Sequence, residues 1–161
     1  MEKHKPILLV DDDDIDAMTV ERAMRDLKIT NQLIRANDGE QAIDYLRDRD
    51  NRTPCLILLD LNMPRMNGIE FLKAAKDDDD LKMIPVVVLT TSHEQRDIVE
   101  SFELSVAGYM VKSADYAEFS EIIRMINLYW TQCKTPDQIV RPESGRAGNS
   151  DYAKAGGSSR R

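Results

Sequence analysis

The sequence predicts an α/β fold in which a parallel sheet of five strands is covered by helices on both faces. Three observations predict it. Five short apolar runs recur along the chain, at 7–10, 33–34, 55–59, 84–89 and 107–111, and each is followed by a segment with helical spacing. Two of them, 56–59 and 86–89, are apolar without interruption, as strands buried on both faces must be. Segments long enough for a helix separate the runs, which gives (βα) five times and a doubly wound three-layer sandwich.

The elements follow in order. After the first run, Ala17, Val20, Met24 and Leu27 fall at spacings of 3, 4 and 3, the stripe of a core-facing helix. Leu33 and Ile34 mark the second strand, and Asp38-Gly39 places an N-cap residue ahead of a helix carrying Ile43 and Leu46. The third run, 55–59, is followed by Asn67-Gly68, a second N-cap pair, and by Ile69 and Leu72. Ile98 and Phe102 give the helix after the fourth run. Phe119, Ile122, Ile123 and Ile126 give the helix after the fifth, with Tyr129 and Trp130 continuing its apolar face.

At 161 residues the chain holds one ordinary domain with a proper core. With 42% hydrophobic and 32% charged residues, and no apolar run near the roughly 18 residues that span a bilayer, it reads as a folded, cytoplasmic protein without a membrane segment. Cys55 and Cys133 show no metal-site or disulfide spacing and read as plain thiols. Of the 29 acidic residues 26 precede Lys134, against only 16 of the 22 basic ones, so that part carries −10 and repels nucleic acid. The expected domain is therefore 1–133. The remainder, 134–161, ending in a Gly/Ser-rich basic stretch, reads as a disordered extension too short for a DNA-binding or enzymatic output domain.

In a doubly wound sheet, ligands bind beyond the carboxyl ends of the strands. There the first run ends in Asp11-Asp12-Asp13-Asp14, the third in Asp60, the fourth in Thr90-Thr91 and the fifth in Lys112. Carboxylates crowded at one edge repel each other unless a cation sits among them, and a hard ion such as Mg²⁺ prefers oxygen ligands. A lysine suits a phosphate oxygen and a hydroxyl can donate to another. Together they describe a site for an aspartyl phosphate.

On these residues the chain resembles the CheY-like receiver family of bacterial response regulators. The motifs are Leu8-Leu-Val-Asp-Asp12, Leu59-Asp-Leu-Asn-Met-Pro64 with Gly68 and Leu72, Val88-Leu-Thr90, and Gly108-Tyr-Met-Val-Lys112, over about residues 5 to 131. The resemblance implies a flavodoxin-like sheet in the order 2-1-3-4-5. It implies that Asp60 accepts a phosphoryl group from a histidine kinase, with Mg²⁺ or Mn²⁺ held by Asp11, Asp12, Asp60 and the backbone carbonyl of Asn62. Thr90 and Lys112 would hold the phosphoryl oxygens, and Tyr109 resembles the aromatic switch that follows Thr90 inward. The implied output is protein contact with a downstream target or a second copy. The expected surface is the face of the fourth helix, fifth strand and fifth helix, with Phe102, Tyr116, Tyr129 and Trp130 as outward-facing anchors. Ser113 stands where the family usually has proline after the lysine, which leaves the geometry of the Lys112–Ser113 bond open. Lys112-Ser-Ala114 with Tyr129-Trp130 is similar to single-domain regulators that partner phytochrome-type kinases.

Other readings compete. Asp13, Asp14 and Asp16 read as a solvated helix start, where acids favour the helix dipole, and Asp77 to Asp80 as a solvated loop. An EF-hand fails because Ala17 and Ala23 stand where its glycine and glutamate belong. His4 and His93 lack a partner motif. An aspartate-nucleophile phosphatase would need a second aspartate two residues after Asp60, and Asn62 occupies that place, so turnover of external substrates is not expected.

Overall fold

The computed structural model describes residues 5–132. The expectations concerning His4, Cys133 and the 134–161 extension lie outside the described residues. Five parallel strands, β1 (Ile7–Val10), β2 (Leu33–Ala36), β3 (Leu56–Leu59), β4 (Val86–Thr90) and β5 (Gly108–Val111), form one sheet in the order β2-β1-β3-β4-β5. The helices are α1 (Asp14–Asp26), α2 (Gly39–Arg47), α3 (Gly68–Asp77), α4 (Gln95–Glu103) and α5 (Tyr116–Gln132).

The period of two along each strand divides the core into two layers. Leu8, Val10, Ile57, Leu59, Val86 and Val88 pack with Ile43, Leu46, Phe71 and Leu72 of α2 and α3. Ile7, Leu9, Leu56, Leu58, Val87 and Leu89 pack on the other side with Val20, Met24, Phe119, Ile123 and Ile126 of α1 and α5. Uninterrupted apolar strands are needed because each residue must fill one layer or the other. Where a strand lies at the edge the demand relaxes: β2 alternates only weakly and carries the exposed Arg35.

Local chemistry sets the helix starts that aim the site. Asp38 and Asn67 cap α2 and α3 as expected, accepting from the Gln41 and Glu70 N–H groups. Gly68 is required by close approach, since a Cβ there would overlap the Asp60 carbonyl and stand 2.7 Å from Leu61 Cα. The loop after β3 is thereby folded tightly back on the strand end.

The acidic run 77–80 is the exposed end of α3 and the solvated turn after it, as expected, with Asp78 Oδ1 accepting from the Asp80 and Leu81 N–H groups ahead of a short 3₁₀ turn, Leu81–Met83. Two expectations are corrected. The Ile98/Phe102 pair does not face the core. Phe102 is 52% exposed, and Ser101 is the buried residue of α4. Trp130 is not an outward anchor; it is 7% exposed within the α1/α5 layer, edge-on to Tyr129 with ring centroids 5.1 Å apart.

Candidate functional site

Backbone pairing holds the site residues at the last position of a strand or one step beyond it. The Asp11 N–H donates to Ala36 O at 3.0 Å, Asp60 N–H to Val10 O at 2.9 Å and Lys112 N–H to Thr90 O at 2.8 Å. Asp11, Asp60, Thr90 and Lys112 are thus fixed to neighbouring strand ends at one edge of the sheet. Among the described residues no peptide bond is cis, so Lys112 joins Ser113 through a trans bond.

The carboxylates of Asp11, Asp12 and Asp60 bring one oxygen each within 4.8 Å of one another. Asp11 and Asp60 are buried and Asp12 opens to solvent. Asp11 Oδ1 accepts from the Asp13 N–H at 2.9 Å, and its Oδ2 accepts from Lys112 Nζ at 2.7 Å. Each oxygen keeps a lone pair for a further partner. The donor set is all hard oxygen, with one side open to water, and so fits a small divalent cation such as Mg²⁺ or Mn²⁺. Asn62 is exposed on the loop after β3, close in sequence to this trio.

Lys112 is not at the solvent edge of its strand, as its position in the sequence suggests. Its side chain is only 5% exposed, and Nζ reaches Asp11 Oδ2 and Asp16 Oδ2 at 2.7 Å each and Asp60 Oδ2 at 3.6 Å. Burial works to lower its pKa, but the bonds from Asp11 and Asp16 and the charge of Asp60 outweigh it and hold the ammonium above its ordinary value of 10.5. Burial raises the pKa of Asp11, while Lys112 and the Asp13 N–H offset part of that rise. Both effects describe one arrangement, a charged lysine partly neutralising acids removed from water.

Thr90 is fully buried at the end of β4, its Oγ1 accepting from the Ser92 N–H at 3.4 Å. Tyr109, half-buried on β5, donates its hydroxyl to the Ser92 carbonyl at 3.1 Å. The two side chains proposed as a switch therefore meet at the same residue of the β4–α4 loop. Tyr116 lies elsewhere. Its hydroxyl donates to Asp26 Oδ2 at 2.5 Å and Arg22 sits 3.9 Å above its ring, so it belongs to the α1–α5 seam and not to the α4–β5–α5 face. Exposed apolar side chains of these helices include Val99 and Phe102 of α4 and Met125 and Tyr129 of α5.

Sequence reasoning missed Asp16 and Arg35. Asp13 and Asp14 do open α1, and Asp13 caps it by accepting from the Ile15 and Asp16 N–H groups. Asp16, however, turns its carboxylate to Lys112. Arg35 of β2 donates from Nε to the Asp11 carbonyl at 3.2 Å and from Nη1 to Asp14 at 2.7 Å, steadying the acidic loop from the side. Nothing in the local sequence of either residue signals these contacts, which depend on which strand ends become neighbours.

A β2-β1-β3-β4-β5 sheet with an acidic trio, a buried threonine and a buried lysine at its carboxyl edge defines a receiver domain. The response regulator receiver domain family matches residues 7–124, and the chain belongs to that family of two-component signalling proteins. It is similar to Response regulator Rcp1 of Synechocystis sp., 38% identical over 135 residues, covering 81% of this chain and 92% of that one. Among solved structures, the phosphorylated cyanobacterial phytochrome response regulator RcpA superposes with a TM-score of 0.77 at 38% identity, covering 83% of this chain and 99% of that one. The Mn²⁺-bound form of Rcp1 gives 0.76 at 38% identity, covering 82% and 99%. Among the described residues no helix is long and apolar enough to cross a membrane.

Proposed function

We propose that Asp60 accepts a phosphoryl group from a histidine kinase and that the chain signals the change through protein contacts. One observation carries the reading: the carboxylate trio of Asp11, Asp12 and Asp60 lies beside a buried lysine whose Nζ is 3.6 Å from Asp60 Oδ2. Asp11, Asp12, Asp60 and the Asn62 carbonyl would hold Mg²⁺ or Mn²⁺, as the Mn²⁺-bound relative suggests. Such an ion neutralises charge on the phosphoryl oxygens.

An Asp60 carboxylate oxygen attacks phosphorus, the P–N bond to the kinase histidine breaks, and the imidazole leaves with the bonding pair and takes up a proton. Lys112 supplies positive charge to one phosphoryl oxygen and the Thr90 hydroxyl donates to another. In the later dephosphorylation, water attacks phosphorus, the P–O bond to Asp60 breaks to regenerate the carboxylate, and inorganic phosphate leaves as the water gives up a proton to it or to solvent. No side chain two residues beyond Asp60 can shuttle the proton of that water, since Asn62 stands there, so the chain is a phosphoacceptor and not a phosphatase of external substrates.

The similarity to phytochrome response regulators favours a phytochrome-type kinase as the donor. The output face is α4–β5–α5, and the same surface serves self-association, with Val99, Phe102 and Tyr129 in place of Trp130 and Tyr116. The test is labelling with acetyl phosphate followed by intact-mass spectrometry. One phosphoryl group is expected on the wild type with Mg²⁺ present. None is expected on Asp60→Asn or in chelator, and equal labelling of wild type and Asp60→Asn rejects the reading.

A further inference from the structure

Lys112 has one more acidic partner than the phosphoryl site requires. An ammonium group has three N–H bonds. Two are taken at 2.7 Å each, by Asp11 Oδ2 and by Asp16 Oδ2. One is left for the group 3.6 Å away, Asp60 Oδ2. Asp11 is a shared partner, because it also belongs to the carboxylate trio and accepts from the Asp13 N–H. Asp16 lies outside the trio. Its side chain, 33% exposed, reaches from the first turn of α1 to the end of β5. Capping of α1 does not require it, since Asp13 already performs that role.

We propose that Asp16 is a positioning residue. It fixes the Lys112 ammonium from the α1 side, so that the remaining N–H is directed at the oxygens of a phosphoryl group on Asp60. This rests on the reading of Asp60 as phosphoacceptor and of Lys112 as its cationic partner, and it adds a residue that acts only through the lysine. A lysine is a point charge on a flexible stem of four carbons, and with one anchor it can swing out of line. With two anchors on different elements its last donor is aimed before the phosphoryl group arrives, which is preorganisation of the kind that lowers the barrier.

Beryllofluoride, which mimics a phosphoryl group on a carboxylate, provides the probe, used on the full chain with Mg²⁺ and followed by ¹⁹F NMR. Asp16→Ala removes the second anchor. Its affinity for beryllofluoride is expected to fall roughly tenfold, the scale of one hydrogen bond to a charged group. The fluorine resonance that Lys112 contacts, identified as the one displaced most in Lys112→Ala, should move toward its position in that variant. Asp16→Asn retains a carbonyl oxygen that can accept from the ammonium and should restore both affinity and resonance to near wild type. Should Asp16→Ala not fold, Asp16→Ser, whose hydroxyl is too short to reach, takes its place.

Wild-type affinity and resonance in Asp16→Ala overturn the inference. So does equal weakening in the Ala and Asn variants with the fluorine pattern unmoved, which marks a merely structural role. A wild type that binds no beryllofluoride overturns the reading of Asp60 itself, and this inference with it.

Discussion

Replacing Lys112 by alanine should destabilise the fold, although a lysine at a strand end is ordinarily a neutral surface position. The side chains of Lys112 and Asp11 are 5% and 1% exposed, and their contact is 2.7 Å. Deleting one partner of a buried pair leaves the other charge unpaired in a poorly hydrated place, a loss of about 3 to 5 kcal/mol in general. Asp16 is 33% exposed and can turn toward water, which places the expected loss near the lower end, about 3 kcal/mol. For a domain of this size that corresponds to a melting temperature lower by roughly 10 °C.

The loss should also depend on pH. Burial already raises the Asp11 pKa above 3.8, and removing Lys112 deletes the main influences that lower it. A carboxyl group raised in this way carries no penalty below its unfolded value, and the penalty develops as pH rises through the folded one. The gap between variant and wild type should therefore be full at neutral pH and close as pH falls toward 3.8. Urea denaturation in chelator, followed by circular dichroism across that range, measures it. A gap below about 0.5 kcal/mol at neutral pH, the scale of ordinary surface substitutions, would refute the claim that Lys112 holds buried charge in place.

Two further outcomes are expected. Burial first, and then the charges of Asp97, Asp60 and Glu94, push the Tyr109 hydroxyl above its ordinary value of 10.0. Its neutral form therefore supports the fold below that value and ceases to do so as pH rises through the folded pKa. Ultraviolet titration should show a late tyrosinate component absent from Tyr109→Phe, and if the component that this substitution removes titrates at or below 10.0 the assignment is contradicted. Phe102→Ala should leave stability within about 0.5 kcal/mol, since the ring is half exposed. In sedimentation with beryllofluoride it should weaken self-association, and a wild-type dimer unaffected by the substitution removes this face from the account.

Much of the architecture is legible in the sequence because a sheet buried on both faces leaves a strong signal. Runs such as Leu56–Leu59 have no polar position to obscure them. The strand ends are equally readable, because Asp11, Asp60, Thr90 and Lys112 each follow or finish such a run, and the structure brings all four to one edge. What stayed hidden depends on neighbours far along the chain. Asp16 looks like a helix-start acid, and only the placement of β5 against α1 shows that its carboxylate meets Lys112, 96 residues away.

Phe102 shows two signals in conflict. Its helical spacing from Ile98 suggests a core stripe, but it is exposed, as expected of an outward-facing anchor, because α4 is short and turned so that Ser101 is the side chain it buries. Trp130 and Tyr129 are adjacent, and successive residues on a helix point about 100° apart. Trp130 continues the 4, 3, 4 spacing of Phe119, Ile123 and Ile126 and so faces the core, while Tyr129 falls outside that stripe.

The central claim is that Asp60 itself becomes the acyl phosphate. After reaction with acetyl phosphate and Mg²⁺, borohydride reduces an aspartyl phosphate to homoserine and so marks the residue that carried it. Peptide sequencing by mass spectrometry should place homoserine at position 60 alone and find much less in Lys112→Ala labelled for the same short time. Homoserine at position 11 or 12, or its absence from a wild type that has gained phosphoryl mass, would contradict the account.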